Sequence, residues 1–167
     1  MNNDNILDIL KGALLLEIRG KSFYQKSKEE SKTEDVKKIF KMMEEEEEKH
    51  IDIIKKQFEN YTKKGAFIIP EEISSKFNVS DYVISEKLKK EVKITDYESL
   101  AIYLAIGFEK EAFNFYSEKA KEVKNEDERK LLNWLRDWEK SHVVFLSKID
   151  EELKKEIWFD NKFWPLY

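Results

Sequence analysis

Glu47-Glu48-Lys49-His50 and Glu139-Lys140-Ser141-His142 decide how this chain reads. They lie 139 − 47 = 92 residues apart and contain both of its 2 histidines. The same offset lays Glu109 on Glu17 and Phe115-Tyr116 on Phe23-Tyr24. Each half therefore reads Glu, then Glu-x-x-His, with 47 − 17 = 139 − 109 = 30 residues between the two glutamates. Residues three apart on an α-helix are neighbours, about 4.5 Å apart along the axis, so each Glu-x-x-His pair can reach one interior point.

The flanks of these glutamates indicate which way they face. Four and seven residues to either side of Glu109 stand Ile102, Ala105, Phe113 and Tyr116. Around Glu139 the same offsets give Leu132, Leu135, Val143 and Leu146; around Glu47 they give Phe40, Met43, Ile51 and Ile54. Glu17 has Leu10, Ala13, Lys21 and Tyr24, with Gly20 three residues on. Such offsets share one helix face, so four carboxylates lie on stripes expected to be buried. Apart from Glu47, and with Glu44 on the border, the Glu44 to Glu48 run reads as solvated surface.

Working outward, four long stretches carry helical periodicity: about Asp4 to Glu30, Thr33 to Lys64, a third from near Asp96, and a fourth from near Glu126 to about Ile157. Thr95 with Glu98, and Asn125 with Glu128, have the spacing of capping boxes. With 4 Gly and 2 Pro in 167 residues there are few helix breakers. The expected fold is an all-α, four-helix bundle of two antiparallel hairpins joined by a long connection, about 65–95, with short helices around Ser80 to Glu91. The bundle takes in residues 1–157. The last ten residues, Trp158 to Tyr167, form an aromatic tail expected to pack on the bundle or on a partner subunit.

Composition narrows the function. With 0 cysteines, disulfides, thiolate metal sites and cysteine nucleophiles are excluded. The formal charge of −4 comes without basic runs interleaved with aromatics, which argues against nucleic acid as the partner. No apolar run approaches the roughly 18 residues a membrane span needs, and the first residues do not resemble a signal peptide, so a cytoplasmic protein is expected.

Four inward carboxylates would repel one another and cost several kcal/mol or more each unless paired or bound to metal. No Lys or Arg falls on the stripes of the second, third or fourth helix. Two divalent cations would supply +4 against −4. Carboxylate and imidazole donors without thiolate suit iron or manganese, with zinc possible. Glu17, Glu47, His50, Glu109, Glu139 and His142 are the candidate ligands and, through the metals, the candidate catalytic residues.

This set of motifs resembles the ferritin-like di-iron carboxylate proteins and, among them, the rubrerythrin family. The resemblance covers about residues 5–150 and implies two Fe ions per bundle. It implies that Glu47 and Glu139 bridge the metals, and that Glu17 and Glu109 are terminal ligands, each paired with the imidazole of its own half. Tyr24 and Tyr116 would stand near the bridging glutamates, although both read equally well as core tyrosines. Met42, Met43, Trp134 and Trp138 read as packing. The chain departs from the family in two places. It has no cysteine-ligated rubredoxin domain, and Ala112 stands where rubrerythrins carry a further Glu. The implied activity is reduction of hydrogen peroxide, with oxygen as the other candidate oxidant and a rubredoxin-like protein as external electron donor, in a homodimer. The alternatives are ferroxidase iron handling and a metal-stabilised bundle without catalysis.

Overall fold

The computed structural model describes residues 3–67 and 96–160, with side chains from 6 to 67 and from 97 to 155. Four helices account for them: α1 (Asn3–Glu30), α2 (Glu34–Lys64), α3 (Asp96–Glu122) and α4 (Glu126–Asp160). α1 packs along α2 and α3 along α4, and the two hairpins meet through α1 and α3. This is the expected four-helix bundle. The short helices expected near Ser80 to Glu91 and the packing of the aromatic tail lie outside the described residues, although α4 itself runs to Asp160.

The 92-residue repeat extends to the backbone without a shift. α1 ends at Glu30 and α3 at Glu122; α2 starts at Glu34 and α4 at Glu126. Both hairpins close with the same bonds at equivalent places. Ser31 N–H donates to Ser27 O at 3.0 Å and Val123 N–H to Lys119 O at 3.2 Å. Lys37 N–H donates to Thr33 O, and Arg129 N–H to Asn125 O, each at 3.0 Å.

The caps differ from their sequence reading in an informative way. Asn125 Oδ1 accepts from the N–H groups of Asp127 and Glu128, at 2.8 and 3.3 Å, as an N-cap does. Glu128, the expected partner in that box, is hydrogen-bonded to Tyr61 of α2. Thr95 lies outside the described residues. Glu98, expected to pair with it, reaches across to the other hairpin. Its carboxylate accepts from Lys32 N–H at 2.9 Å, Thr33 N–H at 2.8 Å and the Thr33 hydroxyl at 3.0 Å. A buried carboxylate is tolerable there because three donors surround it. It also pins the start of α3 beside the α1–α2 turn, so α3 runs antiparallel to α1. At the far end of α2, Gly65 adopts the left-handed conformation (φ 67°) and its N–H closes on Tyr61 O at 2.8 Å.

Two apolar clusters fill the bundle. One gathers Tyr24, Phe40, Met43, Ile102, Phe145 and Ile149 among others; the second gathers Ile9, Leu10, Ile54, Tyr116, Leu132 and Leu135. Repeat-related residues fall in opposite clusters: Phe40 with Leu132, Met43 with Leu135, Tyr24 with Tyr116. Between the two clusters lies a polar layer.

Candidate metal centre

Each helix contributes to that layer. Glu17 comes from α1, Glu47 and His50 from α2, Glu109 from α3, and Glu139 and His142 from α4, and all six are buried, none more than 3% exposed. Most of the apolar residues a turn to either side, such as Phe40, Met43, Ile102, Leu132, Leu135 and Leu146, bury in the two clusters, so the carboxylates between them are drawn into the interior.

His50 Nδ1 lies 3.0 Å from Glu17 Oε2 and 2.9 Å from Glu139 Oε1. His142 Nδ1 lies 3.1 Å from Glu109 Oε2, and 3.7 Å from both Glu47 Oε1 and Glu139 Oε2. The two imidazoles stack, with centroids 5.2 Å apart and planes 13° apart. Donor atoms within 4.8 Å of one another form three groups: Glu17–Glu47–His50, Glu47–Glu109–Glu139–His142 and His50–Glu139–His142. Glu47 is common to the first two. Glu139 turns one oxygen to each imidazole. The repeat thus yields two adjacent nests, one per half, that share two carboxylates.

The electrostatics separate the carboxylates into the same two pairs. Burial pushes Glu47 and Glu139 well above the usual 4.5, and the facing carboxylates push them further: Glu109, Glu17 and Glu139 on Glu47, and Glu17 and Glu109 on Glu139. Burial also acts to raise Glu17 and Glu109, but His50, Glu47 and Tyr116 around the first, and His142, Glu139 and Tyr24 around the second, together outweigh it and hold both below 4.5. Among the described residues, the basic nitrogens within 4.0 Å of these four carboxylates are the Nδ1 atoms of the two histidines. Glu47 Oε1, both oxygens of Glu139 and His50 Nε2 are buried and make no hydrogen bond there. Buried acceptors left without donors, and lying within coordination reach of imidazoles, suit divalent cations held by hard oxygen and borderline nitrogen ligands. The residues fit a pair of metal ions.

The tyrosines bond to a different pair of carboxylates from the bridging pair that the resemblance implies. Tyr24 O–H donates to Glu109 and Tyr116 O–H to Glu17, each crossing to the other half. Their partners are thus the carboxylates expected as terminal, not the expected bridges. Burial, then the neighbouring carboxylates, push both phenols well above 10, so they stay protonated as donors.

The Rubrerythrin family profile matches residues 8–150. The chain belongs to the rubrerythrin family. Among solved structures, a hypothetical protein from Pyrococcus furiosus is similar in fold, with a TM-score of 0.63 and 23% identity over 93% of this chain and 94% of that one. No curated protein matches. Against rubrerythrins, Ala112 remains the clear departure: it is buried at 8% exposure, so no carboxylate reaches the site from that position.

Three features of this rubrerythrin-family site escaped the sequence reading. Trp138, read as packing, sets its ring edge-on against His50, with centroids 4.2 Å apart, and leaves its indole N–H buried without an acceptor among the described residues. Its place four residues before His142, on the same helix face, was the available signal. Glu46, read as solvated, is 6% exposed and ion-paired with Lys49. It occupies the repeat position of Trp138, which is why it is buried. Gly20 lies so close to the cluster that a Cβ there would meet Glu47 Oε2 at 3.1 Å.

Proposed function

We propose that this chain is a di-iron peroxidase that reduces hydrogen peroxide to water with electrons from an external donor. One observation supports it: Glu139 faces both imidazoles and Glu47 belongs to both nests, an arrangement that suits a paired centre better than a single one. Glu17 and His50 would hold one metal, Glu109 and His142 the other, and Glu47 and Glu139 both. Two ferrous ions there would supply the two electrons of H2O2 + 2 H⁺ + 2 e⁻ → 2 H2O.

The protein's own contribution is positional. The protonated tyrosines fix the orientation of Glu17 and Glu109 through bonds that a bound metal leaves in place, while His50 Nδ1 and His142 Nδ1 converge with those carboxylates on the two metal positions. Trp138 excludes water from the imidazole side. Four carboxylates balance two divalent cations, leaving the centre near neutral and open to a small uncharged oxidant, hydrogen peroxide ahead of oxygen. No thiolate centre can be built from these 167 residues, which contain 0 cysteines, so a rubredoxin-like protein would supply the electrons. We place the reaction in a cytoplasmic homodimer; among the described residues no helix is long and apolar enough to cross a membrane.

The test is anaerobic loading with ferrous iron, followed by rapid mixing with hydrogen peroxide or with oxygen. Oxidation faster with peroxide, at two irons per chain, is the expected result. Silence toward both oxidants would leave a metal-stabilised bundle. Ala112 favours a second reading, a ferroxidase, because it leaves the site more symmetric, as in bacterial ferritins. A mass in solution matching a hollow shell of many subunits would support that instead.

A further inference from the structure

The cluster is closed on one side and nearly open on the other. On the imidazole side, Trp138 roofs His50. On the opposite side, between α1 and α3, a small cavity of about 20 Å³ touches all four carboxylates and neither histidine. That is room for about one water-sized molecule. Its remaining lining consists of three repeat-related pairs, Leu16 with Phe108, Arg19 with Glu111, and Gly20 with Ala112.

These pairs form a graded passage. Arg19 and Glu111 are exposed at the mouth, 3.9 Å apart, with the guanidinium 6.0 Å from the Phe108 ring centroid. Leu16 and Phe108 are half-buried below them, and Gly20 and Ala112 are buried against the carboxylates. Gly20 is not there for its backbone, since Gly65 is the glycine with positive φ among the described residues. A mid-helix glycine costs about 0.5–1 kcal/mol relative to alanine, so its position needs another cause. The cause is space: even one methyl group would press on Glu47. Ala112, the departure from the family, keeps the other wall equally low.

We propose that this α1–α3 opening is the route by which oxidant reaches the centre, and that Leu16, Phe108, Gly20 and Ala112 limit it to molecules the size of hydrogen peroxide, excluding alkyl hydroperoxides. The peroxide half of the statement rests on the function proposed above; the route does not.

The experiment separates them. Protein loaded with cobalt(II), which does not turn over, is mixed with azide, and the visible absorption change gives the rate at which a small ligand arrives. Ala112→Leu should slow arrival by about tenfold with cobalt affinity and melting temperature unchanged, and Leu16→Ala or Phe108→Ala should speed it. Ferrous protein should be oxidised by hydrogen peroxide at least about tenfold faster than by tert-butyl hydroperoxide, and Phe108→Ala or Leu16→Ala should narrow that ratio. Azide rates unaltered in folded, cobalt-binding Ala112→Leu and in both enlarging variants would overturn the route. A wild-type protein that uses both peroxides equally would overturn the size limit. Azide rates that respond as expected while neither peroxide is consumed would support the route and sink the peroxidase reading.

Discussion

Replacing Tyr24 with phenylalanine isolates one bond of the centre. The ring is fully buried, edge-on to Phe23 at 5.6 Å and tilted against Phe40 at 6.2 Å, and phenylalanine preserves all of that. What goes is the hydroxyl that donates to the buried carboxylate of Glu109. A hydrogen bond to a charged group contributes about 1.5–3 kcal/mol, so Tyr24→Phe should destabilise the metal-free protein by about 2 kcal/mol. At roughly 2–4 °C per kcal/mol for a chain of this length, the melting temperature should fall by about 4–8 °C. Glu109 would then lose the donor that orients it in the loaded centre, and metal affinity should drop by about 10–100-fold. Calorimetry with chelator present and a competitive metal titration read the two effects separately. A double-mutant cycle with Glu109→Gln should recover most of the 2 kcal/mol as coupling (about 1.5 kcal/mol or more). A variant that melts within about 1 °C of wild type and binds metal equally well would refute the claim that this hydroxyl holds the carboxylate.

By the repeat, Tyr116→Phe should behave like Tyr24→Phe within about 1 kcal/mol, read by the same calorimetry. In metal-free protein, Glu47 and Glu139 have raised pKa values, so they bind protons more tightly folded than unfolded; their stabilising effect is present below the usual 4.5 and is lost as pH rises through the raised values. Glu17 and Glu109 are lowered, so their stabilising effect is present above 4.5 and is lost as pH falls through their folded values. Chelated protein should therefore melt higher near about pH 5 than near about pH 8, and a divalent metal should reverse that slope, because it competes with protons for the same oxygens. Glu98→Ala leaves the N–H groups of Lys32 and Thr33 without their acceptor and should cost about 2 kcal/mol in a chemical-denaturation curve, with metal affinity unchanged. Trp138 against His50 should dominate quenching of tryptophan fluorescence by cobalt(II); Trp138→Phe should remove most of the quenching, and an undiminished signal would place the metal elsewhere.

The ligand candidates were legible because their chemistry is improbable where they stand. Glu109 and Glu139 lie on faces otherwise made of Ile102, Leu132 and Leu135, and such a carboxylate can be tolerated only with a counter-charge or a set of hydrogen-bond donors. The hairpins were legible because helical periodicity runs unbroken over long stretches and only a few residues separate α1 from α2 and α3 from α4. What periodicity cannot carry is azimuth within a few tens of degrees, and the misses are of that kind. Glu46 and Glu48 are two residues apart in one acidic run, yet Glu46 turns inward while Glu48, half-buried, is ion-paired with Lys21. Trp138 reads as core from its spacing, and its place four residues before His142 puts it near the site without saying that the ring it meets is His50 of the other hairpin. Glu98 was assigned to its own helix because capping rules are local. Its actual partners are 66 and 65 residues away, and only the packing of one hairpin on the other brings them within reach.

The repeat is most informative where it breaks. The six ligand candidates and the two tyrosines are identical in both halves, as two equivalent metal positions require. The surroundings are not. Trp138 is answered by Glu46, Arg19 by Glu111 and Gly20 by Ala112. A selection acting only on metal affinity would have no reason to polarise these pairs, because every one lies beside a ligand and none replaces one. The break at 138 and 46 puts an aromatic roof on one imidazole, and the break at 19 and 111 puts opposite charges across the mouth of the passage. Exchanging the second pair, Arg19→Glu with Glu111→Arg, keeps the ion pair and the cavity and only moves the cation to the other helix. Peroxide is uncharged, so its rate should change by less than about threefold, whereas neutralising both positions should leave that rate equally intact and alter only the salt dependence of azide arrival. A large loss in the exchanged protein would mean that the guanidinium acts on the reaction itself and not on the opening.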